Sequence, residues 1–278
     1  APTLTAFKFH LTAKSPSFSI FKKDMTDDEK YLLREALSIL GQFDGLPNLD
    51  ALEGLRLGLG IKEPEKRIIS FTKNPIEDKN ILGELFTAIS QKQVIELHYH
   101  TFSNSQNILR VNLHPYLLKE YNRRWYLFAA VEANGKLLNF ALDRVDKCVP
   151  LPSHNYIEYE GDINERFEDI IGVTFNEDSP IYKIIFWVSD KSKEYVKTKP
   201  IHESQRELPE SISDSFRKQN QTLEKGLFFR IDCKENYELI RELTSFGKEL
   251  VVLEPSVIQD KIFKNIQENH KQYINLRK

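Results

Sequence analysis

Five short apolar runs follow one another between residues 94 and 151, and only polar turns separate them. Asn134-Gly135 lies between the third and fourth runs, and this dipeptide between apolar runs is a strong signal for a β-hairpin. No turn is long enough for a crossover helix, so consecutive strands must pair antiparallel. The pattern therefore predicts a small antiparallel sheet or barrel. Its predicted strands are VIELHYH, ILRVNLHPYLL, RWYLFAAV, KLLNFALDRV and DKCVPL.

The chain before this region has helical periodicity. Thr26 and Glu29 have the spacing of a capping box, which marks the start of a helix. Leucines follow at helical spacing up to Gly41, and two more helical patterns cover Leu49–Leu59 and DKNILGELFTAIS, with a strand, KRIISF, between them. We therefore predict that residues 1–90 are mainly helical.

Strands and helices alternate in the last hundred residues, after a segment over 156–180 that is rich in acidic residues. This alternation predicts an α+β domain over 181–278 with a ferredoxin-like, split βαβ arrangement. Ser256 is a candidate cap for the final helix. The predicted elements are YKIIFWVS, DKSKEYVKT, GLFFRIDC, KENYELIRELTSF, KELVVLEP and SVIQDKIFKNIQENHKQYI.

The composition is that of an ordinary globular protein. The net charge of −2 favours no charged partner, so only a local patch can indicate one. Cys148 and Cys233 are not in CxxC spacing, which excludes a cysteine-rich zinc site and argues against a disulfide scaffold. No apolar run approaches the roughly 18 residues that a membrane helix needs. We expect a cytoplasmic protein with no membrane partner and no cofactor.

Catalytic motifs are not evident. The sequence has no GxSxG elbow, no GxxxxGK[ST] loop, no GxGxxG after a strand and no HExxH helix. His98 and His100 lie two residues apart on a predicted strand and so share a face, but no third zinc ligand can be named. We expect no enzyme, and a metal-dependent hydrolase or nuclease that uses these histidines stands as an alternative.

Arginines accompany aromatic residues in the third and fourth predicted strands. If KLLNFALDRV is one strand, Arg144 shares the apolar face with Phe140, whereas Asp143 lies on the other face. Such an arginine is either structural, at the rim of the sheet, or part of a site for an anion flanked by aromatic rings. The second interpretation suits a phosphate backbone with stacked bases. Its candidate residues are Tyr99, Arg110, Arg124, Tyr126 and Arg144.

This part of the chain resembles the WYL domain family, named for the tripeptide that Trp125, Tyr126 and Leu127 form here. LHPYLLKEYNRRWYLFA is similar to that family's proline-containing strand, polar turn and WYL strand, and NFALDRV is similar to its closing element. PIHESQ and ELTSFGKELVVLEP resemble the extension that commonly follows WYL domains. Because three elements occur in order over residues 93–255, the resemblance is specific.

The resemblance implies a helical bridge over 1–90, a small Sm-like, SH3-type barrel over 91–155, a linker over 156–180 and the α+β extension over 181–278. It also implies the ligand-sensing part of a bacterial transcriptional regulator, whose barrel binds a single-stranded nucleic-acid fragment or another anionic ligand. Tyr126 and Arg144 come first in that site and Arg124 and Tyr99 lie beside them, while Trp125 packs in the core.

Two departures from the family pattern qualify these expectations. Leu138 and Ala141 stand where family members often carry arginines, which leaves room for a smaller ligand. Residues 1–90 show no winged helix-turn-helix, and the chain begins at Ala1. We therefore expect the domain that binds duplex DNA to lie upstream of this chain.

A homodimer is expected through the helices of residues 26–60, because their leucines exceed what one short helical hairpin buries alone. The second alternative is accordingly a pure interaction module, in which the barrel and its extension only hold a dimer together.

Overall fold

The computed structural model describes residues 26–40, 54, 57, 58, 69, 80–102, 104–223 and 225–277. The chain divides into two compact units, one made of residues 1–44 and 48–71 and the other of residues 45–47 and 72–278. In the first unit, helix α1 spans Asp27–Leu40. Its predicted capping box is confirmed, since Thr26 N donates to Glu29 Oε2 at 2.8 Å and Glu29 N donates to Thr26 Oγ1 at 3.2 Å. Outside the described residues lie nearly all of KRIISF and the four leucines of the second helical pattern, Leu49, Leu52, Leu55 and Leu59.

The second unit begins with a helix and a five-stranded antiparallel sheet in the order β4-β3-β2-β1-β5. The five predicted strands and their antiparallel pairing are confirmed. The bounds are α2 Asn80–Ser90, β1 Ile95–Thr101, β2 Asn104–Tyr121, β3 Arg124–Val131, β4 Leu137–Ala141 and β5 Val145–Pro150.

The predicted barrel does not close, because β4 and β5 are the two edges of this sheet. A 3₁₀ turn over Leu142–Arg144 nevertheless carries the chain from one edge to the other. In a flat sheet those edges would lie about 19 Å apart, at roughly 4.8 Å per strand. The four steps from Ala141 to Val145 reach at most about 14 Å. The sheet must therefore curl around its core as an open barrel.

One face of this sheet packs against α2, whose buried residues are Ile81, Leu82, Leu85 and Ala88. Leu127 and Ala129 are buried in the same core, and Trp125 packs against it, as the resemblance implied for Trp125. The other face of β3 is also covered. Phe128 is fully buried, and its ring meets those of Phe167 and Phe175 at 5.0 and 5.5 Å.

A second antiparallel sheet follows, in the order β7-β8-β6-β9, so the α+β class is confirmed. Helix α4 and strand β7 were not expected, because α4 has only two apolar residues and buries only Ser213. The final helix begins at Ser256 with Pro255 at its N-cap, so the prediction of Ser256 as the cap is wrong. The bounds are β6 Ile181–Val188, α3 Lys193–Thr198, β7 Arg206–Glu207, α4 Glu210–Gln219, β8 Leu227–Lys234, α5 Tyr237–Ser245, β9 Leu250–Glu254 and α6 Ser256–Leu276.

The segment between the two sheets is held by both of them. Asn139 Nδ2, on β4, donates to Val173 O at 2.5 Å. Asn236 Nδ2, at the N-cap of α5, donates to Ile171 O at 2.8 Å and to Thr174 O at 3.0 Å. These buried amides satisfy carbonyl groups that a loop would otherwise leave unpaired. Residues 170–174 therefore join the first sheet to the second.

Within the described residues, no helix is both long enough and apolar enough to cross a lipid bilayer.

Both cysteines are free and buried, and this gives a test of the fold. Burial, with Glu84 nearby, raises the pKa of the Cys148 thiol to about 12, and burial, with Asp232 and Asp169 nearby, raises that of Cys233 to about 12. At pH 8 such a thiol is thiolate in roughly one molecule in 10⁴, against about one in four for an unfolded thiol of pKa ~8.5. A thiol-reactive disulfide reagent at pH 8 should modify neither cysteine of the native protein within minutes and both in guanidinium. Fast reaction of either thiol in the native protein would contradict its burial.

Candidate anion-binding site

Arg144 lies in the 3₁₀ turn between β4 and β5, not in a strand. The prediction that it follows the strand parity of Phe140 is therefore wrong, because period 2 ends at Ala141 and a turn of about three residues per revolution begins. The turn places the Arg144 guanidinium against two aromatic rings. Its Cζ atom lies 5.2 Å from the ring centre of Tyr99 and 4.9 Å from that of Phe102.

Arg124 reaches the same place from the first residue of β3. Its Nε lies 3.0 Å from Asp143 Oδ2, and its Cζ lies 5.8 Å from the ring centre of Phe102. Strand parity predicted Asp143 on the face opposite Arg144. The 3₁₀ turn instead brings the Asp143 carboxylate to Arg124. Two guanidinium groups thus lie within 6 Å of the centre of the Phe102 ring, which is 68% exposed, and Asp143 pairs with one of them.

Tyr99 and Tyr126 contribute differently. Tyr99 is buried, and its ring packs edge-on against Phe140 at 5.3 Å. Burial raises the pKa of Tyr99, while the nearby Arg144 charge and a hydrogen bond with the Ala141 backbone oppose the rise. The phenol therefore stays neutral at physiological pH, and the Tyr99 ring packs against the Arg144 guanidinium. Tyr126 is half-buried and lies close enough to Tyr99 to influence its pKa.

Arg110 does not join this group. It is exposed, and the register pairs it with His98 on β1, whereas Tyr99 pairs with Leu109. Because neighbouring residues of a strand point to opposite faces, Arg110 lies on the face opposite Tyr99. The structure therefore brings together four of the five predicted residues and leaves Arg110 apart.

Two atoms of the group are buried without a hydrogen-bond partner. These atoms are Arg144 Nε and Asp143 Oδ1. They lie 3.9 Å apart, which is too far for a hydrogen bond. A buried donor or acceptor without a partner costs about 1–3 kcal/mol. A bound group that accepts from Arg144 and donates to Asp143 would remove that cost for both.

His98 and His100 share a strand, as predicted, but their ring nitrogens have separate partners. His98 Nε2 lies 2.6 Å from Glu96 Oε1, and His100 Nδ1 lies 3.1 Å from both carboxylate oxygens of Asp146. In the part of the chain that the structure describes, no three metal-ligating side chains lie together. The hydrolase alternative gains no support from this geometry.

The sequence did not identify Phe102 or Asp143 as part of the group. Phe102 is a lone aromatic residue in the polar turn TFSNSQ, where no apolar periodicity requires one. An aromatic residue that no core demands is the signal that could have marked it. Asp143 could be placed only with knowledge of the 3₁₀ turn.

Comparisons with known proteins agree with the sequence motifs. The family model of the WYL domain matches residues 80–150, and that of the WCX domain matches residues 180–268. A search of curated proteins gave no match.

Two solved structures are similar to this chain. Proteasome accessory factor B/C of Arthrobacter aurescens is 17% identical, with a TM-score of 0.29 over 86% of this chain and 34% of that one. A CRISPR Cas-related protein is 13% identical, with a TM-score of 0.41 over 72% of this chain and 53% of that one. This chain thus spans only a third to about half of the length of these two proteins. The two domains that the family models identify, in this order along the sequence, make this chain a WYL domain-containing protein with the WCX extension.

Proposed function

We propose that this protein is the ligand-sensing and dimerisation part of a transcriptional regulator. Its WYL domain binds a single-stranded nucleic-acid fragment, or another anionic ligand with an aromatic group, and thereby controls an attached domain that binds duplex DNA. The observation that carries the proposal is the placement of the Arg124 and Arg144 guanidinium groups 5.8 and 4.9 Å from the centre of the exposed Phe102 ring.

The two arginines supply the anion-binding part. With Asp143 they carry a net charge of +1, and guanidinium groups bind phosphate through paired, charge-assisted hydrogen bonds. The ion pair between Arg124 and Asp143 is partly exposed, with side-chain accessibilities of 36% and 24%. Pairs of this kind contribute only about 0–1 kcal/mol. A phosphate can therefore replace the carboxylate as the partner of Arg124 at little cost.

Phe102 supplies the aromatic part. Its ring is largely in water, and stacking of a base on such a ring is worth about 1–3 kcal/mol irrespective of the base. Tyr99 is buried and cannot stack on a ligand, so it acts through Arg144. Arg124, Arg144 and Phe102 can bind an anion with an aromatic group without a cofactor.

The direct test is fluorescence anisotropy of the full chain with short single-stranded DNA and RNA oligomers over a salt series. Phosphate contacts predict that log K falls linearly with log salt, with a slope of about −0.7 for each phosphate neutralised on a single strand. Two arginines therefore predict a slope near −1.4. No binding at low salt would contradict the nucleic-acid ligand.

Replacing Phe102 with alanine should weaken oligomer binding at least about fivefold, because one stacking platform worth about 1–3 kcal/mol is lost while both cations remain. The salt slope should stay unchanged, since no phosphate contact is removed. Phe102→Tyr, which keeps a ring, serves as the control and should bind nearly as the wild type. A reduced slope in Phe102→Ala would show that the ring acts by positioning the arginines.

Ligand binding at this site would act by favouring one arrangement of a dimer, and so of the attached DNA-binding domains. A purely structural interaction module is the second candidate, and α1 favours it. None of its residues is buried, and Leu32 is 70% exposed. In that case Leu33→Asp would abolish dimer-dependent function while Arg144→Ala left it intact.

A further inference from the structure

A small pocket lies at the end of β6 in the second sheet, and it shares no residue with the anion-binding site described above. Its volume is about 390 Å³, within the range of about 300–1,000 Å³ that is usual for small-ligand sites. The end of β6, the segment after α4 and the turn before β9 form its walls. The lining residues are Trp187, Ser189, Asp190, Lys191, Gln221, Thr222, Lys225 and Glu249.

Trp187 brings an unsatisfied donor to this pocket. Its side chain is only 8% exposed, and its one polar atom, Nε1, is buried without a hydrogen-bond partner. An indole N–H can only donate, and in a buried tryptophan it usually finds an acceptor. The Trp187 N–H therefore calls for an oxygen that this chain does not itself supply.

Gly226 lies against the edge of the indole that carries this N–H. An added Cβ at residue 226 would lie 2.6 Å from Trp187 Nε1 and 2.2 Å from Val188 O, so only glycine fits here. Its φ of +133 belongs to a region that side chains rarely allow, and backbone of this kind is concentrated at ligand sites. Because Nε1 is buried, an acceptor reaches it when the backbone at Lys225 and Gly226 shifts, and glycine permits that shift.

The two carboxylates of the pocket already have partners. Ser189 Oγ donates to Glu249 Oε2, and the Ser189 N–H donates to the Glu249 carbonyl at 2.9 Å. Lys193 Nζ donates to Asp190 Oδ1 at 2.5 Å and holds the pKa of Asp190 below its usual value. Neither carboxylate is thus left to bind a cation or a ligand donor.

The two lysines of the pocket are not engaged in this way. In the part of the chain that the structure describes, neither Lys191 nor Lys225 forms an ion pair within 4 Å, although the Lys225 charge acts on Asp190 from farther away. The groups that remain free are therefore two ammonium groups and one indole N–H. All three are donors and two are charged, so the matching ligand is an anion.

We propose that this pocket binds a small oxyanion, either a phosphate or the carboxylate of a small organic molecule. Lys191 and Lys225 pair with its charge, and the Trp187 indole donates to one of its oxygens. A nucleic-acid strand is a poor occupant, because Asp190 and Glu249 repel the phosphates that flank the bound one. The WCX domain thus has a ligand of its own, and this site can fail or stand independently of the site in the WYL domain.

The test follows the indole N–H of Trp187 directly, by proton–nitrogen correlation spectra of the full chain with ¹⁵N-labelled tryptophan. The chain has two tryptophans, so Trp125→Phe and Trp187→Phe assign both indole signals. Inorganic phosphate and succinate are titrated separately to about 50 mM, beyond the millimolar Kd of weak ligands, against sodium chloride of equal ionic strength. We expect a saturable downfield shift of the Trp187 indole proton and a fixed Trp125 signal. The probe that saturates first identifies the class of oxyanion.

Matched variants separate the pocket from the overall charge of the protein. Lys191→Gln combined with Lys225→Gln should weaken binding at least about tenfold, because charge-assisted hydrogen bonds are lost. Lys136→Gln combined with Lys271→Gln removes the same charge from exposed residues outside the pocket and should change the affinity less than about twofold.

Three results would overturn the inference. The first is a Trp187 signal that stays fixed with both anions throughout the titration, and the second is equal weakening in the two double variants. The third is a Trp187 shift that a single-stranded oligomer produces and neither small anion does, which would make the pocket a nucleic-acid contact. Oligomer binding that depends on Arg144 while the Trp187 signal stays fixed would support the proposed function and remove this site alone.

Discussion

Replacing Arg144 with alanine is expected to weaken binding of a short single-stranded oligomer roughly 30- to 900-fold. The guanidinium would donate charge-assisted hydrogen bonds to a phosphate, worth about 1.5–3 kcal/mol. Its stacking on Phe102 and Tyr99 also fixes the Phe102 ring and adds about 0.5–1 kcal/mol. A total of about 2–4 kcal/mol corresponds to that range of affinity.

The salt dependence distinguishes this loss from a general disturbance. Arg144→Ala should lower the slope of log K against log salt by about 0.7, the value for one phosphate on a single strand. Arg110→Ala is the matched control, because it removes the same charge from the opposite face of the same sheet. We expect its affinity to change less than about twofold. Equal losses in the two variants would mean that the sheet attracts anions only through its overall charge.

The sequence predicted the first sheet well because its information is local. The alternation of apolar and polar residues and the Asn134-Gly135 turn specify hairpins, and a hairpin forms between segments that are neighbours in the sequence. The described strands accordingly fall where the apolar runs do. Helix α4 was missed because it has only two apolar residues, too few to mark a helix in the sequence.

The candidate site was predicted only in part, because its geometry depends on a break in periodicity. Within KLLNFALDRV nothing marks Leu142 as the start of a 3₁₀ turn, yet that turn moves Asp143 to Arg124 and aims Arg144 at Phe102. Arg110 shows the opposite error. It was grouped by residue type, whereas the register with His98 places it on the other face.

Gly172→Ala is expected to destabilise the protein by about 2–5 kcal/mol. Gly172 has φ +81, where a residue with a Cβ costs about 1–2 kcal/mol. An added Cβ would also lie 2.6 Å from Glu238 Cγ and 3.0 Å from Tyr121 Cε1. Glu238 is buried and Tyr121 ends β2, so neither side chain moves freely. Overpacking of this kind adds about 1–3 kcal/mol.

Gly161→Ala separates the two contributions. Its φ is +87, and nothing lies within 4 Å of an added Cβ, so only the backbone strain remains. We expect a loss of about 1–2 kcal/mol there, measured as the free energy of unfolding in guanidinium. Equal losses of unfolding free energy in Gly172→Ala and Gly161→Ala would show that the Tyr121 and Glu238 side chains move aside without an energetic cost.

The two tryptophans report whether this contact couples the domains. Trp125 packs on the core of the first sheet, and Trp187 lies in a core of the second. A Cβ at Gly172 would meet Tyr121, from the first sheet, and Glu238, from the helix beside the second sheet. If this contact couples the two sheets, Gly172→Ala should lower the unfolding midpoint by the same amount in a Trp125→Phe protein and in a Trp187→Phe protein. A shift seen by only one tryptophan would show that the sheets unfold independently. Ligand binding three residues from Tyr121, at Arg124, could then not be transmitted to α5 through this contact.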